Sequence, residues 1–404
     1  ACAMRRAVQL VLLTQLAAPS LGLHGEEFYA LLGSTPHEQI RVAGAGQHSV
    51  PPPSLSLSLS THGYDIVVKL VKHDALFAEG YEHITLNQDG TVLSREPMGD
   101  HCIYKGQIFD AKDAATPLGD AIVSVCEGAV EGRLRVGVEH DLVIAPHPLL
   151  GDGSHVVMHH SDYGTTLGAE EWSCGVEDHG HPHHEHVEHP LPQHHHRDVI
   201  AEEKRRRLLN GNLIKWVELV IVNDFARCDA FTSTGKTLGD MTTRSAGIVA
   251  VVDGMYAGGF SSSPNFDYNV KLQLIAQVSF AHGDPYTATT VGGEKDVDSL
   301  LEKYGQWRTT AKGTGAIPDH DNAQLFSGED FSGSTVGYAP VSAMCMTSRT
   351  HGINMARITS TDAQTAGTVA HGAPSPSPCI LLHLLQMSHV ASLSTPLFLA
   401  LSPV

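Results

Sequence analysis

Serine and leucine alternate from Ser54 to Leu59, and a period of two continues through Tyr64-Asp65-Ile66-Val67-Val68-Lys69-Leu70-Val71-Lys72. Alternation sets one side of a strand against a core and the other in water, so both stretches predict strands. Pro51 to Pro53 mark a linker entering the first of them, and a low-complexity coil is the competing reading of the serine–leucine run. Short β-rich runs follow, broken at Asp89-Gly90, Gly128 and Gly151 to Gly153, so the chain to about Tyr163 reads as mostly β. Beyond it, Lys215 to Val222 reads as a strand buried on both faces and Val270 to Val278 as another. Ser299 to Trp307 has the spacing of an amphipathic helix, and Val336 to Met344 is extended. Thr361 and Gln364 stand at capping-box spacing, which predicts a helix running through Ala366 and Val369 to His371. Strands mixed with helices make this second part α/β.

Composition changes between the two parts. Nine histidines fall in the eighteen positions from His179 to His196, interrupted by Pro182, Pro190 and Pro192, and such a stretch has too few apolar residues to pack. It either binds zinc, copper or nickel, or serves as a soluble linker whose charge grows on acidification. Lys204-Arg205-Arg206-Arg207 follows, and the change to apolar sequence sets a boundary near Leu208. Over 404 residues a formal net charge of −18 disfavours nucleic acid and anionic lipid as partners. Met4-Arg5-Arg6 and the apolar run Ala7 to Leu23 have the form of a secretory signal peptide, which puts the later cysteines in an oxidising compartment. Polar residues and Pro396 interrupt the apolar stretch from Cys379 to Val404, so no membrane span is expected there.

Several islands, in order, resemble one family. Leu76-Phe77-Ala78-Glu79-Gly80-Tyr81 and Asp100-His101-Cys102-Ile103-Tyr104-Lys105-Gly106 are similar to the prodomain of the ADAM, or reprolysin-like, zinc metalloendopeptidases. His320-Asp321-Asn322-Ala323-Gln324-Leu325, Val336-Gly337-Tyr338-Ala339-Pro340 and Met344-Cys345 resemble their catalytic domain, and Thr368-Val369-Ala370-His371 resembles the entry to its zinc helix. The resemblance implies a β-rich prodomain followed by a metzincin-type α/β catalytic domain lacking its C-terminal part. The expected segments are a leader and signal peptide at 1–22 and the prodomain at 23–163. A cysteine-switch and histidine-rich linker at 164–207 leads to a partial catalytic domain at 208–371 and an aberrant Ser/Pro-rich tail at 372–404.

The chemistry of such an enzyme needs zinc on three neutral imidazoles, a metal-acidified water and a glutamate base. By the resemblance His371 stands at the first zinc-ligand position, but Gly372 occupies the place of the base and Ser375 that of the second histidine. Pro374, Pro376 and Pro378 would each cost ~3 kcal/mol in a helix interior, so the helix is expected to stop at His371 and the chain to be inactive. The resemblance further implies that the Cys174 thiolate is a cysteine switch, that Cys102 and Cys126 form the prodomain disulfide, and that Glu218 is a calcium ligand. It makes Gly337, Tyr338 and Ala339 part of the edge strand that pairs with extended protein substrates. Lys204 to Arg207 reads as a proprotein-convertase site in a protein of the secretory pathway. A reading of another class is a non-catalytic secreted prodomain, with a metal-binding linker, that inhibits or chaperones a full-length protease.

Overall fold

The computed structural model describes residues 37–46, 50–137, 139–147, 153–160, 173–177, 214–233, 235–256, 269–333, 335–340 and 351–355. Its first ten strands are β1 (Glu38–Arg41), β2 (Ser54–Thr61), β3 (Tyr64–Lys72), β4 (Phe77–Leu86), β5 (Val92–Pro97), β6 (Ile103–Asp110), β7 (Pro117–Cys126), β8 (Ala129–Val136), β9 (His140–Pro146) and β10 (Ser154–His159).

Eight of these form one antiparallel sheet in the order β1-β10-β9-β8-β7-β6-β3-β2. The alternation in the sequence does what it predicts. Leu57, Leu59, Ile66, Val68 and Leu70 turn inward, while Ser56, Ser58 and Lys69 face out. The inward rows meet Tyr104, Ile108, Val123, Leu134, Leu142, Ile144 and Val157 in one core, and the Cys102–Cys126 disulfide joins the start of β6 to the end of β7 at its margin. Just past β1 the sheet closes on itself. Ala43 N–H donates to Ser58 O at 2.9 Å, and Ser58 N–H donates to Ala43 O at 3.0 Å. A barrel therefore replaces two open edges. Gly44 makes the seam possible, because at its φ of +92° a Cβ would stand 2.1 Å from Ser56 O.

β4 and β5 leave the barrel. They join a second sheet built on β11 (Ser173–Glu177), β12 (Ile214–Asn223), β13 (Asn269–Phe280), β16 (Asn322–Ser327), β17 (Thr335–Pro340) and β18 (His351–Met355), in the order β11-β17-β18-β16-β12-β13-β4-β5. A small hairpin of β14 (Thr290–Val291) and β15 (Glu294–Lys295) stands apart. β12 is paired on both sides, to β13 and to β16, both parallel. That placement explains its unbroken apolar run Val217-Glu218-Leu219-Val220-Ile221-Val222, in which only Glu218 is exposed.

Three helices cover this sheet: α1 (Phe225–Ser233), α2 (Leu238–Tyr256) and α3 (Val297–Gly313). Asp224 caps α1, its Oδ1 accepting the Arg227 N–H at 2.8 Å, and Asp296 caps α3 through the Ser299 N–H at 2.8 Å. Leu300, Leu301, Tyr304, Trp307 and Ala311 of α3 pack on one face of the sheet with Val220, Val222, Val278 and Ile84. On the other face α2 lies between β13 and the barrel strands β6, β7 and β8. Leu76, Tyr81, Ile103 and Ile122 from the barrel side share a core there with Val217, Leu219, Val249 and Leu272.

The change of composition near Leu208 is thus a boundary along the chain but not in space. The reason is physical. Parallel β13 would be a bare edge without β4, and α2 would present an apolar face to water without the barrel. Polar contacts bind the seam as well. His83 Nε2 meets Ser279 Oγ at 2.8 Å, and Arg95 donates to the carbonyls of Gly315 and Ala316 at 2.9 and 3.0 Å. Asp253 of α2 accepts the Leu272 N–H at 2.8 Å and meets His73 Nε2 of the barrel side at 3.2 Å, both residues being buried.

Candidate active-site edge

A cleft-edge strand needs extended backbone with one row of amides and carbonyls facing outward. β17 supplies it. On its inner side it pairs antiparallel with β18, Gly337 opposite Asn354 and Tyr338 opposite Ile353. Gly352 of β18 allows the close packing beneath, since a Cβ there would meet the Gln324 side chain at 2.7 Å and Ala339 Cβ at 2.9 Å. Gln324 in turn donates to Asn322 Oδ1 and accepts from Asn354 Nδ2 at 2.9 Å, a buried amide ladder that fixes β16 against β18. Ala339 is buried, and Tyr338 lies against the core under α3.

The outward row of β17 is occupied. β11 runs parallel along it, Cys174 opposite Gly337, Gly175 opposite Tyr338, Val176 opposite Ala339 and Glu177 opposite Pro340, with a register shift between Ser173 and Cys174. Two groups singled out by sequence, the Cys174 motif and the Gly337-Tyr338-Ala339 edge, are therefore neighbours by backbone pairing. The side chains of β11 lie outside the described residues, as do His371, Gly372 and Ser375, the Lys204 to Arg207 site and the histidine-rich tract.

Glu218 is placed. Its side chain is exposed, and its backbone exchanges two bonds with Asp321: the Glu218 N–H donates to Asp321 Oδ2 at 3.0 Å and the Asp321 N–H to Glu218 O at 3.0 Å. Two carboxylates thus share one end of the sheet, but no third candidate ligand joins them among the described residues.

Cys228 is the free cysteine among the described residues and packs against Phe231 and Met241. Burial, with the charge of Asp224 behind it, pushes its thiol up to about 12, so it is an inert core thiol at neutral pH. Nearby stand two carboxyls that were not singled out from the sequence, Asp224, which is buried, and Asp284, which is half-buried. Burial raises Asp224, against the lowering effect of the Ser327 hydroxyl and the Gly328 and Arg227 amides that it accepts. Burial and the charge of Asp224 push Asp284 up to about 7. Asp284 Oδ1 accepts the Phe225 N–H at 2.8 Å, so both carboxyls serve the start of α1. An aspartate directly before a helix was the available signal for Asp224. His320, in the motif that carried the resemblance, is held neutral by burial, down to about 4, beside Arg308 Nη1 at 3.0 Å.

Residues 215–373 match the model of the reprolysin (M12B) family zinc metalloproteases, and residues 24–109 match the model of the reprolysin family propeptide. The chain is 26% identical over 333 residues to the mouse protein "Disintegrin and metalloproteinase domain-containing protein 19", covering 81% of this chain and 31% of that protein. It is 26% identical over 306 residues to the human protein of the same name, covering 75% of this chain and 28% of that one. The chain spans less than a third of the length of these relatives.

Proposed function

Since the chain belongs to the reprolysin family, with its propeptide and catalytic region both present, we propose that it is a secretory-pathway precursor of zymogen design whose own residues do not complete a zinc-dependent peptidase. Zinc, when bound in this family, supplies a polarised water for attack on a peptide carbonyl. The donor set here does not fit that task. His371 is a single imidazole, Gly372 offers no carboxylate to take a proton, and Ser375 stands where a second imidazole is needed. No catalytic step is therefore assigned to this chain.

The observation that supports the zymogen reading is the parallel pairing of β11 with β17: the Cys174 segment runs along the outward backbone row of β17, the row that on this reading would receive an extended protein substrate. A thiolate at Cys174 is a strong zinc ligand and would displace the water from a complete site. Glu218, beside Asp321, is the start of a calcium site rather than the whole of one. A proprotein convertase cutting after Arg207 would sever β11 from β12 along the chain and leave β11 joined to the sheet through its pairing with β17.

The binding reading, a prodomain that inhibits or chaperones a full-length protease, has its own support in the upstream strands that cover both edges of the catalytic sheet. The test begins with the chain expressed with its leader, incubated with zinc and a broad peptide library. No chelator-sensitive cleavage is expected. Cleavage abolished by His371→Ala would overturn the proposal.

A further inference from the structure

Three histidines distant in sequence meet at one mouth of the barrel. His62 stands in the β2–β3 turn, His140 begins β9 and His159 ends β10. Their ring centroids are 4.6 Å apart for His62–His159, 5.2 Å for His140–His159 and 6.0 Å for His62–His140. Zinc held by imidazole nitrogens at ~2.0–2.1 Å in tetrahedral geometry sets neighbouring ring centroids about 5 Å apart, which is the spacing found here.

Three further observations support reading the cluster as a site. First, His140 Nδ1 is buried with no hydrogen-bond partner, a costly state that a metal ion would relieve. Second, His62 is one of two non-glycine residues at positive φ among those described, at +48°, and it shares a two-residue hairpin turn with Gly63 at +78°. Histidine, like asparagine and aspartate, is among the residues that tolerate that conformation, and the tight turn fixes where the imidazole leaves the backbone. Third, the ring of His62 is tied down by its Nδ1 side. Its Nδ1 meets Thr61 Oγ1 at 2.9 Å, the Thr61 hydroxyl donates to Glu38 Oε2 at 2.8 Å, and the His62 N–H donates to the same oxygen at 2.7 Å. A proton on Nδ1 leaves the lone pair on Nε2, the arrangement that orients histidine ligands of metals.

We propose that His62, His140 and His159 form a binding site for a zinc-class divalent transition metal at the mouth of the prodomain barrel, with Glu38 as the neighbouring carboxylate. As the rings stand, no group of three or more His, Cys, Asp or Glu side chains among the described residues is arranged to hold a metal ion, so binding here requires the rings to turn. The terminal histidine torsion is broad and roughly two-fold, and turning it moves a ring nitrogen by about 2 Å with no change of backbone. Asp141 and His160, with Nδ1 3.9 Å from the Asp141 carboxylate, flank the cluster, and the Tyr64 ring stands 5.3 Å from that of His140. An ion here would tie β1, the β2–β3 turn, β9 and β10 together across the barrel end.

The experiment uses the full chain with the nine tract histidines changed to Ser and His371 changed to Ala, so that neither the linker nor the family zinc position contributes. Zinc is titrated by equilibrium dialysis, and cobalt serves as a spectroscopic probe. One zinc per chain is expected, with a tetrahedral-type cobalt band and a rise in melting temperature on adding zinc. His140→Gln and His159→Gln should each weaken zinc binding at least tenfold and remove the band. Their melting temperature without metal should stay near that of the parent, which separates loss of a ligand from loss of fold. A parent that retains no zinc, or a His62→Asn/His140→Gln/His159→Gln variant that binds it equally well, would overturn the proposal. Neither result bears on peptidase activity.

Discussion

The barrel closes through two hydrogen bonds between its own residues, Ala43 and Ser58, whereas the sheet around β12 is finished at both ends by strands from upstream, β11 on β17 and β4–β5 on β13. Both arrangements keep backbone amides from lying open to water or to another chain. They differ in what they depend on. A barrel seam survives as long as the barrel does, while a borrowed edge lasts only while its donor stays. The last strand of the borrowed set, β5, has exposed Arg95, Glu96 and Pro97, residues that discourage a further strand from adding.

The sharpest way to break this contrast is Ile84→Asp. Ile84 is fully buried, pairs with Val278 of β13 and packs under α3. An unpaired buried carboxylate there should cost roughly 4 kcal/mol or more. Amide exchange should accelerate in β13 and β12 while the barrel strands β7, β8 and β9 stay protected. Equal loss of protection in both would show that the two sheets unfold as one.

A smaller effect comes from acid. His320 has its pKa lowered from 6.5 to about 4, so the unfolded chain takes up a proton in that interval and the folded chain does not. Stability therefore falls as pH drops from 6.5 toward 4, by about 3 kcal/mol at most from this group. His320→Gln should flatten that slope in the catalytic sheet's denaturation curves. An unchanged slope would assign it elsewhere, and His83, also held neutral by burial at the β4–β13 seam, is the next candidate.

The smallest is Gly44→Val at the barrel's own seam. The clash with Ser56 O and the φ of +92° should together cost ~2 kcal/mol, lowering the barrel's melting temperature and leaving the β4–β13 pairing intact. A loss confined to the catalytic sheet would reverse the comparison.

These dependencies were unequally legible in the sequence. β2 and β3 were readable because one face of each meets solvent, which prints a period of two. β12 was readable as a run with no polar break apart from Glu218. α2 was not. Covered by β13 on one side and the barrel on the other, it buries Ile248, Val249, Ala250, Val251 and Val252 in succession, so no polar stripe marks a helical period. The pairing of β4 with β13 was invisible for a different reason, since ladder bonds join backbone to backbone and carry no side-chain code. Of the candidate site, the Cys174 motif and the β17 edge could be named from sequence, but their register could not. The histidine cluster escaped because its members belong to three turns and strand ends far apart in the chain, and periodicity reports only on neighbours.

The borrowed edge also sets an order of events in time. Ile84 and Val278 are partners, yet roughly 190 residues of chain separate their synthesis. At ~5–20 residues per second a ribosome takes about 10–40 s to cover that distance, while hairpins form in ~1–10 μs. The β4–β5 hairpin and the barrel strands β1 to β3 and β6 to β10 therefore have ample time to fold before β13 exists, and β4 waits as an unfinished edge. When β13 emerges it meets a ready template, so its long loop closure becomes the addition of one strand to a preformed sheet. On this schedule β4 would template the addition of β13, and a chain that began at β12 would have to find its parallel pairings without it.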